Sequence, residues 1–445
     1  MFKLNKVVFC TVKIFQNGFV HTSSGFVKKD LIVQNGRFVD SYEATCTVEH
    51  IDLKSRYVWP GLIDTQINGG FGIDFTSSIN VQEDISVFRK KIVEHGVTSI
   101  VPTVISSKSE NYKRLLQYNW IEQGNADVGA TLLGLHLEGP FLSPEKKGCH
   151  SASNIVPIPS FKKGEEQKEA LDLLKLVYGL DWSQISIVTL DASNDSFLHL
   201  LKNLQRHGII VSIGHTTATT KQISRAIDEG ATYLTHLMNA NSPITARSTS
   251  VAGVVFDHDE KTPKTPRNYR RLLNYFRCDQ GVIIEQPMPF FYGLISDGLH
   301  VSDINLKLLY KCYPKGCVLV SDAIKAMSSK EKNTTLGDLN INIIDAEIPA
   351  AYIVNTTTLA GSVQNLFGCL LYMIKTNKHV PVHEVIECAT SHPAELLGLK
   401  NVKGTLSSGA DADFIIVSQD SETGSYTVDE TWIQGNKAWA KTECI

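Results

Sequence analysis

LLGLHLEGP, residues 132–140, is the stretch from which the fold can be read. An apolar run from Leu132 to Leu137 is short, ends at a carboxylate, Glu138, and is stopped by Gly139-Pro140. A run of that length bounded by turn residues reads as a buried strand. Seven further runs repeat the pattern: Leu62 to Ile67, Thr98 to Val101, Ile185 to Leu190, Ile209 to Ile213, Ala231 to Thr235, Tyr292 to Ser296 and Val318 to Ser321. Helical periodicity fills most gaps between them, as over Gln82 to His95, Ser109 to Gln123, Glu165 to Tyr178 and Thr219 to Glu229. Eight βα units in succession predict an α/β protein built as a closed parallel (β/α)₈ TIM-type barrel rather than an open sheet.

The flanks differ in composition. Before residue 60 the chain reads as short strands, Lys6 to Cys10, Leu31 to Val33 and Arg37 to Val39, with a hairpin turn at Asn35-Gly36. The other end is similar, with a strand over Asp413 to Val417 and a hairpin from Trp432 to Trp439 turning at Gly435-Asn436. Residues 1–59 and 401–445 are therefore expected to form one small β-sandwich domain around a barrel of residues 60–400. No internal repeat or long low-complexity stretch interrupts this plan.

Bulk composition excludes several classes. In 445 residues the net charge is -3, with 42% hydrophobic and 20% charged residues, so no broad field attracts nucleic acid or anionic membrane. No apolar run reaches the roughly 18 residues of a membrane span. Lys3, Lys6 and Lys13 interrupt Met1 to Phe15, which therefore lacks a signal-peptide core. Nine cysteines, Cys10, Cys46, Cys278 and Cys444 among them, are scattered without a C-x-x-C pair, which argues against a disulfide framework and for the cytosol.

Chemistry collects where the strands end. Strand one runs into Gln66-Ile67-Asn68, strand three into Glu138, strand five into Gly214-His215 and strand six into Thr235-His236. Strand seven runs into Asp297-Gly298-Leu299-His300 and strand eight into Ser321-Asp322. In a barrel these termini meet on one rim, where active sites of this architecture lie. Glu138, His215 and His236 offer one carboxylate oxygen and two imidazole nitrogens, a set suited to zinc with an open position for water. Asp322 would face that water as general base. Each residue alone has a plainer reading: a hydrogen-bonded rim histidine, or a helix-capping acid at Glu138 or Asp322. Their coincidence at successive strand ends is what packing alone does not explain.

The same blocks carry a resemblance. WPGLIDTQINGGFGIDF (59–75), GLHLEGPFLSPEKKGCH (134–150), SIGHTTAT (212–219), THLMNANSPITAR (235–247), GLISDGLHVS (293–302), VLVSDAI (318–324), TLAGS (358–362), HPAELLGL (392–399) and KGTLSSGADADFIIV (403–417) occur in order over most of the chain. Together they resemble the N-acetylglucosamine-6-phosphate deacetylases of the amidohydrolase superfamily. PGLID and GADADF indicate an amidohydrolase; LEGPF with KGCH and the remaining blocks narrow it to this group.

The resemblance implies metal-dependent hydrolysis of N-acetylglucosamine 6-phosphate to glucosamine 6-phosphate and acetate. Glu138, His215 and His236 match the metal ligands, and Asp322 matches the catalytic aspartate. Cys149-His150 matches a substrate-binding pair, with the histidine near the amide carbonyl. Asn239 and Ala240 match contacts to the sugar phosphate, and Arg247 matches the phosphate contact, for which a guanidinium fork is well shaped. Asp297, Gly298, Leu299 and His300, with Leu359, Ala360 and Gly361, match the remaining substrate contacts. Outside the motif, Arg247 would read as a solvated loop residue.

Two features depart from the broader pattern. Where many amidohydrolases place His-x-His after strand one, this chain has Gln66-Ile67-Asn68, whose amides are poor zinc ligands. One divalent ion per chain, zinc by preference, is therefore expected. The segment from Asp257 to Phe290, with Lys261, Lys264, Arg267, Arg270, Arg271 and Arg277, reads as a solvated insertion, an oligomer contact or an altered entrance. The expected partner is a small amino-sugar phosphate, and the expected assembly is a homodimer. The competing readings are an amidohydrolase of another N-acyl or cyclic amide, and a barrel that serves only as a scaffold.

Overall fold

The computed structural model of the protein describes residues 11–256, 270–277 and 289–442. The expected strand over Lys6 to Cys10 lies outside them, as do Lys261, Lys264 and Arg267. Eight parallel strands follow one another around a barrel: β1 (Leu62–Ile67), β2 (Val97–Ile105), β3 (Leu135–Glu138), β4 (Ile185–Leu190), β5 (Ile210–Ile213), β6 (Tyr233–Leu234), β7 (Phe291–Leu294) and β8 (Cys317–Leu319). Backbone hydrogen bonds close the ring between its first and last members. Asp322 N–H donates to the Gln66 carbonyl at 2.9 Å, and Asn68 N–H donates to the Ala323 carbonyl at 2.8 Å. The closing bonds thus run through the residues in which the site chemistry sits.

Helices Val81–Ile92, Glu166–Tyr178, Phe197–Arg206, Thr220–Asp228, Asp303–Cys312 and Leu366–Thr376 surround the strands. Thr220–Asp228 opens with a capping box, in which the Thr219 hydroxyl accepts from Gln222 N–H while the Gln222 side chain accepts from Thr219 N–H. The strand forecast over Leu132 to Leu137 is broken at Gly134, whose φ of +91° bends the chain out of register between Thr131–Leu133 and β3.

The forecast helix over Ser109 to Gln123 stops at Leu115. Trp120 Nε1 donates to the Leu115 carbonyl at 2.8 Å, Trp120 N–H donates to Gln184 Oε1 at 2.7 Å, and Ile121–Glu122 pairs with Leu132 and Leu133. Tertiary partners capture a stretch whose local pattern continues the helix.

Both chain ends build the accessory sheets. Tyr57–Pro60 pairs antiparallel with Phe414–Gln419, joining N- and C-terminal segments in one six-stranded sheet. A four-stranded sheet carrying Thr11–Gln16 and Leu31–Gln34 packs against it over Phe15, Val33, Phe38, Val58, Phe414 and Trp432. Phe15 meets Phe414 and Trp432 edge-on, with centroids 5.0 and 4.9 Å away. The Asn35-Gly36 turn has both residues at positive φ, as a tight hairpin requires. The C-terminal hairpin turns at Gln434-Gly435, one residue earlier than forecast, because these two residues adopt the positive φ values.

The segment read as a solvated insertion is docked where it is described. Residues Arg270–Phe276 are helical, and Leu272 packs with Ile63, Val101 and Val318. Arg277 is buried and paired with Asp411, which also meets Lys403 Nζ at 2.9 Å, while Lys403 reaches Asp413 at 2.7 Å. Two cations and two carboxylates thus neutralise one another beneath the barrel, so Arg277 is no solvated loop residue. A three-stranded antiparallel sheet, Asn333–Leu336, Leu339–Ile344 and Ala350–Ile353, also follows β8 and was not forecast.

Candidate active site

Glu138 is the last residue of β3, and His215 and His236 lie two residues beyond β5 and β6. One ligand atom from each falls within 4.8 Å of the others, and all three residues are buried. Glu138 Oε1 lies 3.1 Å from His215 Nε2 and 2.8 Å from His236 Nε2, and the two nitrogens are 3.1 Å apart. His215 and His236 have φ of +48° and +27°, a left-handed backbone unusual for such residues and characteristic of functional sites.

This group fits a divalent cation. His215 Nδ1 donates to the Lys146 carbonyl at 2.8 Å, which leaves the Nε2 lone pair free to coordinate. Burial alone would push Glu138 up, yet hydrogen bonds and attraction from His215 and His236 hold it well below the ordinary carboxylate range. His236 goes the other way: burial lowers it, but the hydrogen bond and charge of Glu138, with Asp322, raise it to about 9. The electrostatics therefore favour positive charge at this point, as a bound cation provides. Among the described residues, this is the sole group of three or more such side chains gathered to hold an ion.

Asp322 follows β8 with φ of +46°. Its Oδ1 accepts from Asn68 Nδ2 at 2.8 Å and from Gln66 Nε2 at 3.2 Å, and Gln66 Nε2 also reaches Glu138 Oε1 at 3.2 Å. Burial first, then the Glu138 carboxylate, raise Asp322 to about 6, against the pull of His236, His300 and the Asn68 hydrogen bond. A carboxylate near that value is ionised at neutral pH while remaining a useful base. Gln66 Oε1, Asn68 Oδ1 and His150 Nε2 are buried without a hydrogen-bond partner among the described residues, so polar atoms are left unspent at the site.

The other forecast residues are distributed around this centre. His150 is fully buried, with Nε2 3.9 Å from Glu138 Oε2 and its ring 4.5 Å from that of His215. Burial first, then the charges of Asp322 and Glu138, push the Cys149 thiol up. Asp297 Oδ2 accepts from His300 Nδ1 at 2.7 Å, and its Oδ1 accepts the Leu299 and His300 amides at 2.9 and 3.0 Å. Gly298 permits the φ of +85° on which that loop turns.

Leu359-Ala360-Gly361 leads to Ser362, whose N–H donates to the Asp322 carbonyl at 3.0 Å. A Cβ on Gly361 would come within 2.9 Å of that carbonyl. The Ala240 carbonyl accepts from Thr216 N–H at 3.2 Å, and Asn239 N–H donates to the His236 carbonyl at 3.0 Å. Arg247 is different. It is exposed on the loop after β6, where its amide donates to Thr245 Oγ1 at 3.4 Å, and no described contact ties its side chain to the buried group.

The comparisons with known proteins agree with this geometry. The model of the amidohydrolase family matches residues 57–438. The N-acetylglucosamine-6-phosphate deacetylase of Danio rerio is 33% identical over 93% of this chain and 93% of its own. That of Bos taurus is 34% identical over 96% of each. The chain belongs to the N-acetylglucosamine-6-phosphate deacetylase family. The crystal structure of the Pasteurella multocida deacetylase superposes with a TM-score of 0.73 at 25% identity, covering 97% of this chain and 100% of that one.

For a member of this deacetylase family, the sequence pattern missed three contributors to the site. Gln66 and Asn68 were read only as non-ligands, yet their amides hold Asp322 and Glu138. Spacing of i and i+2 across the end of β1 was the available signal. Ser106, just past β2, binds His150. Strand two ended without a charged or imidazole side chain, so nothing in the pattern drew attention to it.

Proposed function

We propose that this protein hydrolyses N-acetylglucosamine 6-phosphate to glucosamine 6-phosphate and acetate, with one divalent ion at Glu138, His215 and His236. The observation that carries the reading is the meeting of that buried triad with the elevated carboxylate of Asp322 at the strand ends, in a chain of this family. When bound, such an ion polarises the acetamide carbonyl and acidifies a neighbouring water.

The chain's own groups do the rest. Gln66 and Asn68 fix Asp322 through Oδ1, leaving Oδ2 to orient the water and take its proton as oxygen adds to the acetamide carbon. The proton then passes from Asp322 to the sugar nitrogen, the C–N bond breaks, and acetate and the free amine leave. His150 faces the carbonyl oxygen, where charge builds. Asp297 holds His300 against the sugar, the Leu359-Ala360-Gly361 turn packs beside Asp322, and Asn239, Ala240 and Arg247 engage the phosphate end. Binding that remote group positions the amide for reaction.

Zinc as the ion, a homodimeric assembly and a cytosolic location complete the proposal. The mixed imidazole and carboxylate set supports zinc. The thiols of Cys149, Cys312, Cys317, Cys369 and Cys388, none of them in a disulfide among the described residues, support a reducing compartment. No described helix is long and apolar enough to cross a membrane. A division into a barrel of residues 60–400 and a β domain of 1–59 with 401–445 is supported by the sheet that joins both ends.

One observation favours a second reading, hydrolysis of a related amide without phosphate: Arg247 stands exposed and apart from the buried group. The test is acetate and amine release from N-acetylglucosamine 6-phosphate by protein of measured metal content, before and after chelation. Activity lost with the metal and regained on its return supports the proposal. Metal-loaded protein that releases neither product overturns it.

A further inference from the structure

We infer that Ser106 is a positioning residue whose backbone amide, seconded by its hydroxyl, locks His150 in the tautomer that carries its proton on Nε2. This deepens the function proposed above and rests on it for its catalytic meaning. Ser106 N–H points at His150 Nδ1 over 3.1 Å, and Ser106 Oγ lies 2.8 Å from the same nitrogen. A backbone amide can only donate, so Nδ1 must present its lone pair. A neutral imidazole with an acceptor at Nδ1 holds its one proton at Nε2. That nitrogen is buried, has no hydrogen-bond partner among the described residues, and lies 3.9 Å from Glu138 Oε2. The ring therefore points an unspent N–H donor toward the ligand triad.

The lock is itself held in place. Asn154 Nδ2 donates to the Ser106 carbonyl at 3.2 Å, and Ser106 Oγ also lies 3.4 Å from the Glu138 carbonyl. Gly139, at φ of +95°, passes so close that a Cβ there would come within 2.3 Å of Ser106 Oγ. The turn that ends β3 thus makes room for the serine that orients the histidine.

The consequence is a division of labour. With its proton fixed on the inward nitrogen, His150 donates a hydrogen bond to the developing oxyanion of the acetamide, and its one lone pair, on Nδ1, is turned away to Ser106 and cannot take the proton of the water. Proton transfer is left to Asp322.

The experiment uses the metal-loaded protein labelled with ¹⁵N in its histidine rings. Long-range ¹H–¹⁵N correlation spectra distinguish the two tautomers, and the His150 signals are those lost in His150→Gln. The expected result is Nε2 protonated and Nδ1 bare in the wild type. The same is expected in Ser106→Ala, which keeps the amide and loses only the hydroxyl. The kcat of that variant should fall by no more than about tenfold, the worth of one net hydrogen bond. Protonation at Nδ1 in either protein overturns the proposal.

A second arm reads the donor. The amide nitrogen of His150→Gln can reach the place of Nε2, whereas His150→Asn fills only the place of Nδ1. At matched metal content, Gln should retain at least about tenfold more kcat than Asn, and equal losses would contradict the donor role. Failure of the wild type to release acetate would sink the proposed function but leave the spectra to decide the tautomer.

Discussion

Replacing Asp322 by Asn separates orientation from proton transfer at one position. An asparagine there keeps a carbonyl oxygen where Oδ1 now accepts Asn68 Nδ2 at 2.8 Å and Gln66 Nε2 at 3.2 Å. Side-chain volume and both hydrogen bonds survive, and loss of the charge removes repulsion from Glu138. Folding and metal content should therefore be preserved. What disappears is the proton acceptor, and general-base catalysis contributes about 10²–10⁴-fold, or roughly 3–5 kcal/mol of barrier.

The wild-type pH profile supplies the control. Asp322 must be ionised to act, so activity falls as pH drops through its pKa, which burial and Glu138 raise to about 6. A bound cation adds attraction and moves the acid limb of kcat/KM to that value or below it. The measurement is continuous acetate release across pH for both proteins at equal metal loading. Asp322→Asn should lose at least about a hundredfold in kcat and show no limb of its own in that range. A kcat within tenfold of wild type, or an unchanged acid limb, would refute the assignment of Asp322 as the base.

Three further outcomes are expected. Elemental analysis should find about one divalent metal per chain, because Gln66 and Asn68 offer only weakly ligating amides where a second ion would need imidazoles; two at near-full occupancy would be incompatible with this. Arg247→Ala should weaken handling of the phosphorylated sugar by about 2–4 kcal/mol and leave the unphosphorylated sugar nearly unchanged. The ratio of their kcat/KM values then collapses by tenfold or more, and a constant ratio would remove Arg247 from the phosphate site. Arg277→Ala should destabilise the fold by about 3–5 kcal/mol in urea titrations, since two buried carboxylates are left with one ammonium. A loss below about 1 kcal/mol would show that the cluster is not held by that pairing.

The barrel was legible because its strands are apolar runs cut off by glycine, proline or a polar residue, and because the chemistry stands at the cuts. Glu138, His215, His236 and Asp322 could be picked from four different strand ends for that reason. Tertiary partners hid the rest. Nothing local stops a helix at Leu115; a tryptophan indole and a glutamine from a later βα unit do. Arg277 belongs to a charged stretch and finds Asp411 at a sequence separation of 134 residues. Ser106 acts through a backbone amide, which every residue but proline carries, so its identity gives little away. The sheet from Asn333 to Ile353 rests on a small core of its own, in which Leu336, Ile341 and Ala351 meet Ile105 and Ile324; the alternation of Leu339-Asn340-Ile341-Asn342-Ile343 was the signal that could have revealed it.

One steady-state comparison decides what the site around Glu138, His215, His236 and Asp322 hydrolyses. Metal-loaded wild-type protein is given N-acetylglucosamine 6-phosphate and N-acetylglucosamine separately in one buffer, and acetate and free amine are both quantified. The predicted result is equimolar release of acetate and amine from the phosphorylated sugar, with a kcat/KM at least about tenfold above that of the unphosphorylated one. Equal handling of the two sugars, or no release from either, would contradict it.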